Sequence, residues 1–152
     1  MRRVVVTGLG AVTPLGLGAH RVWSALVAGQ CGIQSVLSLA PTERWHGLPS
    51  TVAGLVPWVP DGANGGVSSL SNGASTSQPL SWRASDYLDA GQQRRMALFT
   101  QYAVAAAEMA LDDAGWRPTT PLEQDRTGVC LGTGIGNLDE MYSTSVGHYE
   151  KV

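Results

Sequence analysis

Thiol catalysis is the first chemistry these residues raise, because Cys31 and Cys130 share the chain with three imidazoles, His20, His46 and His148. A nucleophilic thiol needs a general base or a helix amino terminus to lower its pKa. None of the histidines lies near either cysteine in the sequence, so no local thiol–imidazole pair forms. The spacing fits no metal-ligand pattern, and one pair of cysteines does not by itself define a disulfide. Cys31 follows Gly29-Gln30 in a loop. Cys130 sits in Thr127-Gly128-Val129-Cys130-Leu131-Gly132, a strand running into a glycine turn, where a buried small hydrophobe is expected.

Phosphate binding is the second possibility, since Val4-Val5-Val6-Thr7 leads into Gly8-Leu9-Gly10. A dinucleotide fingerprint wants a further glycine or alanine where Thr13 stands, and an acidic residue roughly 20 positions later for a ribose hydroxyl. The first acidic residue is Glu43. No Gly-Lys-Ser/Thr follows any strand candidate, which excludes a P-loop. Gly8 and Gly10 are therefore read as backbone that must pass where side chains would obstruct it. Ten basic and 12 acidic residues leave a formal charge of -2 on the 152-residue chain. That gives no cationic field for nucleic acid or anionic lipid. No apolar run reaches the ~18 residues of a membrane span, and Met1-Arg2-Arg3 enters the first strand with no room for a signal or transit sequence.

The elements that would position such groups read as an α/β core. Val4, Val5 and Val6 are β-branched and continuous, the pattern of a strand covered on both faces. Residues 19–28 place Val22, Trp23, Leu26 and Val27 on one helical face, and Gly29 supplies the stop. Pro41, Pro49, Pro57 and Pro60 break up the next stretch, within which residues 51–56 fit a short edge strand. Residues 61–80 are Gly/Ser/Asn-rich, and they are predicted to form a disordered surface insertion. Order returns at Trp82 and Tyr87. A helix over about residues 95–114 follows, with Leu98, Tyr102, Ala105, Ala106 and Met109 at helical spacing, Gly115 as C-cap and Pro118 barring continuation. The run Ala103-Val104-Ala105-Ala106-Ala107 keeps its surface flat enough for close approach by another element. Residues 127–131 are expected to form the next core strand, before the turn Gly132-Thr133-Gly134-Ile135-Gly136-Asn137.

Taken in order, Val4-Val5-Val6-Thr7-Gly8-Leu9-Gly10, Thr13-Pro14-Leu15-Gly16, Trp23, Gly29 with Cys31-Gly32-Ile33, Gln93-Arg94-Arg95-Met96, Asp112-Asp113-Ala114-Gly115-Trp116 and Gly132-Thr133-Gly134-Ile135-Gly136 resemble the amino-terminal portion of a β-ketoacyl-acyl-carrier-protein synthase. The likeness spans the chain apart from the insertion. It is similar to the elongating, type II condensing enzymes, particularly the mitochondrial branch of fungi and animals. The resemblance implies an α/β, thiolase-like fold, of which residues 1–152 would be an incomplete first half. It also implies an acyltransferase that condenses malonyl and acyl groups carried by acyl carrier protein in fatty acid biosynthesis. No cofactor or metal is implied; the expected partner is acyl carrier protein, and the complete enzyme is expected to be a homodimer.

In that family a cysteine at a helix amino terminus takes the acyl group and two histidines assist. Neither Cys31 nor Cys130 matches that motif, so the catalytic residues are expected beyond Val152 and the chain is expected to be inactive alone. The likeness points to mitochondria, whereas the chain as written carries no transit peptide and reads as cytoplasmic. Arg94 and Arg95 align with basic residues that face the acidic helix of the carrier, and Gly91 stands where the patch has a third basic group. A solvated helix start accounts for the Arg pair equally well. Ile135 matches a position in the wall of the acyl pocket, with core packing as the alternative. Two other classes compete with a condensing enzyme: a non-catalytic module that pairs with a complete synthase, and a nucleotide-binding α/β domain.

Overall fold

A computed structural model describes residues 3–38, 47–58 and 81–150. The chain first folds back on itself at Pro14-Leu15, where β1 (Val12–Thr13) pairs antiparallel with β2 (Gly16–Leu17). The Thr13 hydroxyl donates to the Gly16 carbonyl at 3.1 Å and accepts from the Leu15 N–H at 3.1 Å, closing the turn with a side chain. Gly18, with φ 84°, then turns the backbone into α1 (Ala19–Val27), and Gly29 ends that segment at φ 68°. A second ribbon joins β3 (Ile33–Ser35) to β4 (Val52–Gly54), with Ile33 opposite Gly54. Pro14 lies against Gly32 and Gly54, so the tip of the first ribbon rests on the second.

The remaining helices are α2 (Ala90–Arg95), α3 (Leu98–Ala114), α4 (Pro121–Asp125) and α5 (Leu138–Tyr149). Gly115 caps α3 in the left-handed conformation at φ 59°, where a residue with a Cβ would be strained. The α3 helix organises the molecule. A Cβ on Gly10 would stand 1.8 Å from the Ala106 carbonyl oxygen, and one on Gly8 would stand 2.1 Å from that of Ala110. The amino-terminal segment thus lies directly on the α3 backbone, glycine against alanine, and Asp113 Oδ2 accepts from the Leu9 N–H at 2.9 Å.

Leu17, Trp82, Ala105 and Met109 form the buried cluster, with Val12, Val56, Tyr87 and Tyr102 packed around it. Trp82 is 1% exposed. Its ring stacks on Tyr87 at 5.6 Å and meets the edge of Tyr102 at 4.9 Å, so three aromatic side chains join α3 to the segment before α2. Burial raises the pKa of both tyrosines, and for Tyr87 the neighbouring Asp86 and Asp112 add to it.

Helices and small sheets are both present, yet the two core strands expected from the sequence do not form. Val4, Val5 and Val6 are 99%, 71% and 79% exposed, and residues 4–6 belong to no strand. Residues 127–131 are likewise unpaired, with Val129 and Leu131 exposed. The physical reason is the same in both places. A strand exists only when a neighbour takes its N–H and C=O groups, and among the described residues none lies alongside. Cys130 is correspondingly exposed, not buried. The apolar face of α1 buries Ala25 but leaves Trp23, Leu26 and Val27 exposed. The single helix expected over residues 95–114 starts later, at Leu98, because extended backbone at Met96 and Ala97 separates it from α2. The short strand expected within residues 51–56 is present as β4. The predicted insertion over residues 61–80, like His46, lies outside the described residues.

Candidate functional site

Arg94 and Arg95 occupy the last turn of α2, a helix of six residues held at both ends by side chains. At its start Asp89 Oδ1 accepts from the Gly91 N–H at 2.7 Å and the Gln92 N–H at 2.8 Å, while Gln92 Oε1 accepts from the Asp89 N–H at 3.0 Å. This reciprocal cap satisfies otherwise orphaned donors. At the other end the buried Gln101 amide donates through Nε2 to the Gln93 carbonyl and the Met96 carbonyl, both at 3.0 Å. Sequence reasoning missed α2, although the Asp89-x-x-Gln92 spacing is a recognisable capping signal. It also missed Gln101, whose position on α3 carries no such signature.

Both arginines are exposed. Arg94 Nε donates to the Ala90 carbonyl at 3.0 Å and Arg95 Nε to that of Gly91 at 3.2 Å, so each side chain folds back along its own helix. Among the described residues no carboxylate pairs with either. Two guanidinium groups are therefore offered to solvent at the negative end of a short helix, an arrangement suited to a second, acidic surface. Arg117 contrasts with them: it bridges Glu108 and Asp112, whose hydrogen bonds raise its pKa, and is already neutralised.

Ile135 lies on the turn before α5 and is 71% exposed. Gly132 and Gly134 have open space where a Cβ would point, so the described residues form no pocket wall around it. The α5 helix begins at Asn137, whose Oδ1 accepts from the Glu140 N–H at 3.3 Å, and it buries no residue. A shallow, open hollow on its surface is lined by Asn137, Glu140, Met141, Thr144 and Ser145.

Among the described residues no imidazole is hydrogen-bonded to either thiol. Cys31 makes a weak contact of 3.9 Å to the Ile33 carbonyl, and His20 Nε2 faces Asp113 Oδ1 at 3.9 Å. Among the described residues no group of three or more His, Cys, Asp or Glu side chains could hold a metal ion, and no helix is long and apolar enough to cross a membrane. The glycines that suggested a dinucleotide turn are occupied by α3 itself, with backbone at 1.8 and 2.1 Å from the positions of their missing Cβ atoms.

The chain belongs to the β-ketoacyl synthase family: the model of its N-terminal domain matches residues 1–151. Individual relatives agree. A Schizosaccharomyces pombe protein, provisionally named a mitochondrial 3-oxoacyl-(acyl-carrier-protein) synthase, is 42% identical over 140 residues, covering 92% of this chain and 28% of the relative. The mitochondrial 3-oxoacyl-(acyl-carrier-protein) synthase of Arabidopsis thaliana is 37% identical, covering 90% of this chain and 28% of the relative. In Rhizobium meliloti, 3-oxoacyl-(acyl-carrier-protein) synthase 2 is also 37% identical, with 91% and 28% covered. The chain thus spans a little over a quarter of the length of these curated relatives.

Proposed function

We propose that the chain is the amino-terminal part of a 3-oxoacyl-(acyl-carrier-protein) synthase with a thiolase-like fold, acting in the decarboxylative condensation of malonyl and acyl groups held on a carrier protein. The observation that carries this reading is the match of residues 1–151 to the family's N-terminal domain, together with relatives that bear the synthase name. Within that reaction α2 serves as a docking element, where Arg94 and Arg95 meet the acidic face of acyl carrier protein. Each screened contact contributes about 1 kcal/mol or less. Ile135 borders the acyl chain. Cys31 and Cys130 are not the nucleophile, a reading supported by the lack of an imidazole hydrogen-bonded to either thiol among the described residues. The mitochondrial names of two relatives support the same compartment for this protein.

A chimera tests the proposal. Residues 1–151 replace the corresponding segment of the Schizosaccharomyces pombe relative, and 3-oxoacyl product is measured from acyl- and malonyl-carrier protein. Retained turnover is expected, whereas the 152-residue chain alone should yield no product. A folded chimera without activity, or product from the chain alone, overturns the reading. The exposed apolar segments at residues 4–6 and 129–131 favour one other possibility, an interaction module that pairs with a complete synthase. Stable co-purification with such an enzyme, together with an inactive chimera, would establish that instead.

A further inference from the structure

We propose that Gln101 is a positioning residue for the Arg94–Arg95 surface. This rests on the reading that the arginine pair docks an acidic carrier. Gln101 is only 8% exposed. Its Nε2 carries two hydrogens, and the structure gives each a carbonyl, Gln93 O and Met96 O, at 3.0 Å. Because both partners are acceptors, the amide must present its nitrogen to them. The two carbonyls flank Arg94 and Arg95 in sequence, so one side chain from the stable helix α3 ties down the backbone on either side of the arginines.

The rest of α2 is weakly held. It buries no residue, six residues are too few to be helical alone, and its amino-terminal cap is internal to the same segment. Gln93 Nε2 donates to the Leu88 carbonyl at 2.9 Å, which again anchors the start and not the end that carries the arginines. Removing the Gln101 donors should therefore release the last turn of α2 while α3, fixed by Ala105 and Met109 in the buried cluster, stays in place. A carrier that needs both guanidinium groups in one arrangement then binds only the fraction of molecules that retain it.

Gln101→Met tests this at nearly constant volume. Amide exchange at residues 93–96 should accelerate about tenfold, the effect of losing roughly two net hydrogen bonds, with Ala105 and Met109 unchanged. Affinity for purified holo acyl carrier protein should fall as well, by at most about the same tenfold, in proportion to the molecules whose last α2 turn has opened. In a chain that also carries Arg94→Glu and Arg95→Glu, Gln101→Met should weaken the carrier no further, because the groups it positions are gone. Gln101→Glu supplies a second variant: its carboxylate repels both carbonyls at neutral pH, and protonation restores one donor, so protection at residues 93–96 should recover in acid. Unchanged exchange at residues 93–96, equal acceleration throughout α3, or a carrier defect that persists in the charge-reversed background overturns the proposal. Should Arg94→Glu with Arg95→Glu leave carrier binding intact, the docking reading itself fails, and faster exchange in Gln101→Met would mark a purely structural residue.

Discussion

Replacing Gly10 with alanine adds a single methyl group at the most crowded of the described glycine positions. The new Cβ would stand 1.8 Å from the Ala106 carbonyl oxygen and 2.8 Å from its carbon. The first distance falls about 1.6 Å short of the 3.4 Å at which ordinary van der Waals contact begins. The obstacle is helical backbone, which cannot rotate away as a side chain would, so the amino-terminal segment must lift off α3. That lift also breaks the 2.9 Å bond from the Leu9 N–H to Asp113. Overpacking of this kind costs about 3 kcal/mol. Alanine narrows the unfolded ensemble and returns about 0.4–1 kcal/mol, leaving a net loss of about 2 kcal/mol. Gly10 does not hold a left-handed φ, so the effect is steric and not conformational. Urea unfolding followed by far-UV circular dichroism should show a midpoint lower by about 1 M. Gly128→Ala is the control, since nothing lies within 4 Å of its Cβ position, and it should change stability by no more than about 0.5 kcal/mol. Equal effects of the two substitutions would refute the glycine–alanine packing.

Trp82→Ala removes the ring that stacks on Tyr87 and meets Tyr102, and should cost about 3–5 kcal/mol; a thermal midpoint within about 3 °C of the unchanged chain would contradict this. The backbone N–H groups of Thr120 and Thr119 hold the Glu123 carboxyl below its ordinary 4.5, so its stabilising effect on α4 is complete above that value and is lost as the pH falls through the lower folded value. The Thr119 and Thr120 amide resonances should move with that titration, and amides that stay fixed down to full protonation would sink the idea. In an active chimera, Ile135→Phe should lower kcat/KM progressively with acyl chain length, at roughly 0.8 kcal/mol for each methylene displaced. A uniform decrease across saturated primers would show that Ile135 only packs.

Some of this structure was readable from residue types alone. Gly29 and Gly115 end their helices at φ 68° and 59°, as glycine after an apolar helical run suggests. Gly8 and Gly10 signalled an obstructed backbone path and the alanine run of α3 a flat surface, but only the fold shows that each is the other's partner. Val4, Val5 and Val6 mark the limit of such reading. Hydrophobic pattern reports what a segment can bury if a neighbour is supplied, and carries no information on whether that neighbour is among these residues. Cys130 follows the same rule: its expected burial depends on a strand that finds no pairing among the described residues, and it is exposed. The α2 helix was missed because six residues give periodicity too little length to act on; its formation depends on Asp89, Gln92 and a distant Gln101.

The two proposed functional elements differ in how much of their surroundings this chain supplies. The Arg94–Arg95 surface draws its support from within the described residues. Its helix is capped at Asp89, tied at Gln101, and presents both guanidinium groups without a competing carboxylate among the described residues. Among the described residues the Ile135 turn has no comparable support: its glycines face open space, the following α5 buries nothing, and the preceding residues 127–131 have no pairing partner. A docking surface needs only an outward face held in shape, whereas an acyl pocket needs walls on every side to exclude water. Carrier affinity is therefore a property to be measured on this chain directly, and chain-length selection one that emerges only in the chimera. Loss of carrier binding on Arg94 and Arg95 reversal, with no Ile135 effect until the remaining walls are supplied, is the pattern this division of labour requires.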